Sequence, residues 1–197
     1  MSKSSPSSFL GALTGAEPLF PWCNGPMTRD EWPGVGDSDA EEVPDWLFSE
    51  DDRRFMSEAL SEARSAAGRG EVPVGAVVAR GTEIVARSGN RRAEDSDPSA
   101  HAEILALRAA GRALGDWRLE QCTLYVTLEP CPMCVAACRQ ARLDLVVWGA
   151  ADPVVGACGS RLDLAEDPRL GRPLAQRGGL EAGAAAELLK SFFAKKR

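Results

Sequence analysis

A chain of 197 residues, 44% of them hydrophobic, is long enough to bury one sizeable core and short enough to make one catalytic unit. It contains no run of eighteen apolar residues, and its N-terminal MSKSSPSSFLGALTGAEP lacks the apolar length and charge of a signal peptide, so a cytoplasmic protein with no membrane partner is expected. The formal net charge of −6 argues at first sight against a nucleic-acid partner, but it divides into −7 for residues 1–50 and +1 for residues 51–197, so the acidity belongs to an extension.

That extension, residues 1–48, is rich in Ser, Pro, Gly and acids and breaks at Pro21, Pro26, Pro33 and Pro44. It reads as disordered, ahead of one folded domain at 49–197. Its aromatics Phe20, Trp22, Trp32, Trp46 and Phe48 leave a docking segment open, and Met27 leaves open a later start. From Asp51 the pattern turns regular: DDRRFMSEALSEARSAAGRG places Phe55, Ala59, Leu60 and Ala63 on one helical face, with Gly68 and Gly70 as the stop. EVPVGAVVAR and EIVARSGNR, separated by Gly81 and Thr82, predict an antiparallel hairpin. HAEILALRAAGRAL follows as a helix, TLYVTLE as a strand, PMCVAACRQAR as a helix opened by Pro132, LDLVVWGA as a strand, and a helix closes the chain. The order α-β-β-α-β-α-β-α implies crossovers that cover a mixed central sheet on both faces, a three-layer α/β/α sandwich. Neither a GxGxxG nor a GxxxxGK[ST] occurs, which removes support for dinucleotide and triphosphate enzymes.

In a reducing compartment, close cysteine spacing points to metal or redox chemistry sooner than to disulfides. Of the six cysteines, Cys131 and Cys134 in LEPCPMC stand i, i+3 at a helix start, and His101 in DPSAHAEI, the one histidine of the chain, stands at another. One nitrogen and two sulfurs around an ion leave a tetrahedral position open, the mark of catalytic zinc, which lowers the pKa of a held water from about 15.7 to about 7. Glu103 lies beside that site as a proton carrier between water and substrate. Taken singly, each motif has a plain reading: His101 as a helix start, Glu103 as a first-turn acid favoured by the helix dipole, Cys-Pro-x-Cys as a glutaredoxin-like thiol pair. Together and in order they form the H-x-E…P-C-x-x-C signature of zinc nucleobase deaminases. Cys138, four residues after Cys134, is within reach of the ion, but a fourth protein ligand would close the site. Cys122, Cys158, Tyr125 and Trp148 are expected in the core.

EVPVGAVV, GN, DPSAHAEILALR, DWRLEQCTLYVTLEPCPMC, GSRLDL and the terminal SFFAKKR together resemble the bacterial tRNA-specific adenosine deaminases, over about residues 51–197. The HAE and PCxxC spans fix only the wider superfamily of cytidine, deoxycytidylate and guanine deaminases. The resemblance implies His101, Cys131 and Cys134 on one Zn2+ per chain, Glu103 as catalytic proton shuttle and Asn90 as a substrate contact. It implies equally a homodimer and inosine formation at the wobble adenosine of a tRNA anticodon loop. Asn90, after Gly89, fits a turn as readily as a base contact. The chain departs from the family at Ala151–Val155 and at Gly171, Arg172 and Pro173, where RNA contacts would lie, so a deaminase of free nucleosides or bases is the alternative. The C-terminal Lys190, Lys195, Lys196 and Arg197, beside Phe192 and Phe193, offer phosphate contacts, or simply complement the helix dipole.

Overall fold

The computed structural model describes residues 47–196. The expected extension lies outside the described residues except for its last two, and these belong to the core: Phe48 is 6% exposed and Leu47 packs against the same cluster. The packed chain therefore includes Leu47 and Phe48. Ser49 then opens α1 (Glu50–Gly68) with a capping box, its hydroxyl accepting the Asp52 N–H at 3.1 Å while the Asp52 carboxylate accepts the Ser49 N–H at 2.8 Å.

Four strands and three further helices follow the expected order: β1 (Gly75–Arg80), β2 (Glu83–Gly89), α2 (Ala102–Leu114), β3 (Cys122–Leu128), α3 (Pro132–Gln140), β4 (Leu145–Ala150) and, at the end, α4 (Ala182–Lys195). Between β4 and α4 the structure adds a single 3₁₀ turn at Pro168–Leu170 and a short β5 (Ala175–Gly178). Sequence reading misses β5 because its four residues, AQRG, carry no apolar alternation and pair on one side only. Gly178 is needed there, since a β-carbon would overlap the Trp148 ring, whose Nε1 donates to the Gln176 side chain at 2.9 Å.

The sheet runs β2-β1-β3-β4-β5, with β1 antiparallel to both neighbours and β3, β4 and β5 parallel. Strand alternation sorts the side chains. Ala76, Val78, Leu124, Val126 and Val146 meet α2 and α3, while Val77, Ala79, Tyr125 and Val147 meet α1 and α4. This is the three-layer α/β/α sandwich with a mixed sheet. Gly75 lets α1 approach so closely that a β-carbon would overlap the Ala59 carbonyl. Because β2, β3 and β4 run parallel to one another, their carboxyl ends lie along one edge, beside the start of β1, where Gly75 pairs with Gly89. Among the described residues no helix is long and apolar enough to cross a membrane.

A part-buried bond ties α1 to the sheet: the Tyr125 hydroxyl donates to the Asp52 carboxylate at 2.6 Å. Burial alone would raise the Asp52 carboxyl, but the Tyr125 and Ser49 donors hold it below its ordinary 3.8. Tyr125→Phe is expected to destabilise the protein by about 1–2 kcal/mol at neutral pH, measured by chemical denaturation. A carboxyl depressed in the folded state stabilises above the unfolded value and ceases to do so as pH falls through the folded one. The difference between the two proteins should hold above 3.8 and close in more acid solution; a pH-independent difference would assign the loss to packing alone.

Candidate active site

The two motifs fold into the starts of α2 and α3, at the carboxyl ends of parallel β2 and β3. His101 and Cys131 are both N-cap residues, with extended φ/ψ of −72°/149° and −73°/170°, and neither side chain caps its own helix. They turn instead toward each other. His101 Nδ1 lies 3.8 Å from Cys131 Sγ and 3.6 Å from Cys134 Sγ, and the two sulfurs are 3.6 Å apart. These three residues are the group whose ligand atoms converge among the described residues, all within 4.8 Å. Cys138, fully buried, is outside that group and packs with Cys158 in the core, as does Cys122.

A tetrahedral zinc with bonds of about 2.3 Å to sulfur and 2.0–2.1 Å to nitrogen has S···S edges of roughly 3.7 Å and N···S edges of roughly 3.6 Å. The observed separations match those edges, so the donor set and its spacing fit the ion. The electrostatics agree. The Cys131 thiol is drawn down to about 4, first by the adjoining Cys134 sulfur, against burial, and then by His101. His101 is raised, chiefly by Cys131, while Cys134, coupled to Cys131 and buried, is raised.

Glu103 sits in the first turn of α2, 4% exposed, with Oε2 buried and without a hydrogen-bond partner. Burial raises its carboxyl, with the neighbouring His101 opposing. A buried carboxyl oxygen left unpaired is costly in a folded protein and marks a group kept ready for a ligand.

Asn90 is 6% exposed, and its Oδ1 accepts the Ala102 N–H at 2.8 Å. It thus supplies the cap that His101 does not, and its side-chain amide keeps two donors. Glu71 and Glu129, quoted in the motifs but given no role there, are also buried. Glu71 accepts the Glu94 N–H at 2.8 Å and anchors the turn that leads to His101. Glu129 accepts the N–H groups of Asp152, Cys158 and Ser160. The signal available in sequence was an acid inside an apolar run, as in VTLEP and GEVPVG; which backbone it serves depends on distant chain.

Residues 49–150 match the family model of the cytidine and deoxycytidylate deaminase zinc-binding region. The chain is 42% identical over 146 residues to the tRNA-specific adenosine deaminase of Bacillus subtilis, covering 74% of this chain and 91% of that one. It is 51% identical over 143 residues to a protein of Deinococcus radiodurans named tRNA(Ile)-lysidine synthase, covering 72% of this chain but spanning only 24% of that much longer protein. A structure solved in studies of A-to-I editing by tRNA:A34 deaminases at the wobble position superposes with a TM-score of 0.67 at 46% identity, covering 69% of this chain and 99% of that one.

Asn90→Ala leaves the Ala102 N–H buried and unpaired, and is expected to cost about 1–2 kcal/mol. Asn90→Asp keeps the acceptor beside a helix start and should recover part of that loss in thermal unfolding. Equal melting temperatures for all three proteins would show that the cap does not hold α2.

Proposed function

Since the chain belongs to the cytidine and deoxycytidylate deaminase family, we propose that it is a zinc-dependent hydrolase that converts adenosine to inosine at the wobble position of tRNA. The observation that carries this reading is the buried, unpaired Glu103 Oε2 beside three converging ligand atoms. His101 Nδ1, Cys131 Sγ and Cys134 Sγ would hold one zinc per chain, three protein ligands that leave a position for water. A zinc bound there would supply a water activated as a nucleophile near neutral pH. Glu103 takes a proton from that water and passes it to the adenine ring nitrogen; it then carries the second proton to the leaving amine, so that a C–O bond replaces the C–N bond and ammonia departs. Asn90, with Oδ1 committed to Ala102, offers its amide hydrogens to an acceptor on the base.

Two features support an RNA substrate over a free base. The matched relatives that this chain covers almost end to end are named for tRNA. Lys196 Nζ donates to the Gly70 carbonyl at 3.0 Å and braces the end of α4, on which Lys190 and Lys195 stay exposed for phosphate contacts. An unpaired loop also presents its base for flipping at small cost. A homodimer is supported by the outer face of α2 and α3, where Ile104, Leu107, Gly111 and Ala137 line a groove of 660 Å³ beside Trp117, itself 57% exposed. Five free cysteines among the described residues suit the cytoplasm.

Incubation with an anticodon stem-loop carrying a wobble adenosine should release ammonia and form inosine far faster than with free adenosine, cytidine, guanine or cytosine, and the rate should fall as salt rises. Turnover of a free base with none on the stem-loop would reject the tRNA assignment and leave the zinc chemistry standing. Glu103→Gln should retain about one zinc per chain by atomic absorption and lose roughly 10²–10⁴-fold or more in turnover. Near-normal turnover in that variant would remove Glu103 from the mechanism.

A further inference from the structure

The connection from β4 to β5, residues 151–174, joins two parallel neighbours without an α-helix, so its backbone groups need partners from elsewhere. Two side chains supply many of them. Glu129, 2% exposed, accepts through Oε2 the Asp152 N–H at 3.0 Å and through Oε1 the Cys158 and Ser160 N–H groups at 2.9 and 3.1 Å. Arg139, from α3, donates to the carbonyls of Leu164, Ala165, Asp167 and Gly171. A carboxylate gathers the donors of the first half and a guanidinium the acceptors of the second.

Both side chains belong to the segment that carries the two cysteines. Glu129 stands two residues before Cys131, and the intervening Pro130 carbonyl accepts the Ala157 N–H at 2.9 Å. The chain wraps Glu129 so closely that a β-carbon on Gly156 would overlap its carboxylate. Asp152, also buried, accepts the Val154 and Val155 N–H groups at 2.9 and 3.1 Å and fixes the turn just beyond β4. That turn leaves the carboxyl end of β4 beside the carboxyl end of β3, the edge where open α/β sheets take their ligands. Burying a carboxylate to collect three amides from one segment is expensive, and ties that segment to the ligand-bearing turn in addition to the core packing of Ala157 and Cys158.

We propose that Glu129 is a positioning residue for substrate: it seats residues 152–160 as one wall of the site beside Cys131. The proposal rests on the deaminase reading above. A wall that contacts substrate equally in the ground and transition states changes KM and leaves kcat, whereas a residue acting on the metal ligands changes kcat or zinc content.

Glu129→Gln retains the shape but only one acceptor oxygen, so it can serve Cys158 and Ser160 or Asp152, not both. The purified zinc-loaded variant is expected to keep one zinc per chain and kcat within about threefold, while KM for the stem-loop rises roughly tenfold. Hydrogen exchange across residues 152–160 should quicken by about tenfold or more, with α2 unchanged. Gly156→Ala, which pushes the segment off an intact carboxylate, should raise KM in the same way and serves if the first variant does not fold. A lowered melting temperature with unchanged KM in a folded variant would overturn the proposal in favour of a structural role. Loss of zinc or of kcat would overturn it in favour of an action on the ligands. Failure of wild type to process the stem-loop would reject the functional reading, while the exchange measurement would still decide whether Glu129 holds the segment.

Discussion

Two sulfurs, a carboxylate and an imidazole crowd together, buried or half-buried, in this protein, and the rest of the molecule is arranged to hold them there. Buried groups that favour negative charge repel one another unless something positive stands among them. The fold provides part of that at once, because His101 and Cys131 lie at helix starts, where peptide dipoles favour negative charge. It provides the remainder through donor spacing, which matches the edges of a zinc tetrahedron and lets a cation displace the thiol protons.

Bringing those helix starts together is the work of the sheet. β1 lies between β2 and β3 and antiparallel to both, so the two outer strands end on the same edge and feed α2 and α3 from it. Using the N-cap positions for ligands has a local cost, since neither side chain is then available to cap its own helix. Asn90 meets that cost at α2 from the end of β2, and Glu71 fixes the intervening turn. Each of these polar side chains is buried and bonded to backbone at the rim of the site, which is why the rim can be irregular in conformation and still fixed in place.

The parts of this design legible in sequence are those written within a few residues of one another. HAE and CPMC each declare a spacing, a helix start and a chemistry, and helical and strand periods located α1 to α4 and β1 to β4. What escaped reading depends on contacts across the chain. β5 has no apolar pattern because an edge strand of four residues needs none. Glu129 and Arg139 have partners 23 to 32 residues away. The packing of Phe48 escaped for a similar reason, since that ring is anchored by residues of α1 and the sheet that the extension's own composition does not reveal.

Charge distribution bears on how such a site would grip an anionic substrate. The segment from residue 51 onward carries a net charge of only +1, and several of its arginines are already paired with nearby acids, among them Arg91 with Asp95, Arg142 with Glu120 and Arg169 with Asp167. Lys196 is committed to the Gly70 carbonyl and lies over the Phe192 ring at 4.6 Å, so it braces α4 more than it projects charge. Lys190 and Lys195 are exposed on the same helix. A protein that neutralises few phosphates has a shallow salt dependence, since the slope for single strands is about −0.7 per phosphate. Recognition then has to come largely from the shape of the cavity around one unstacked base, and the precision with which the residues around the site are held matters more than the number of its surface cations.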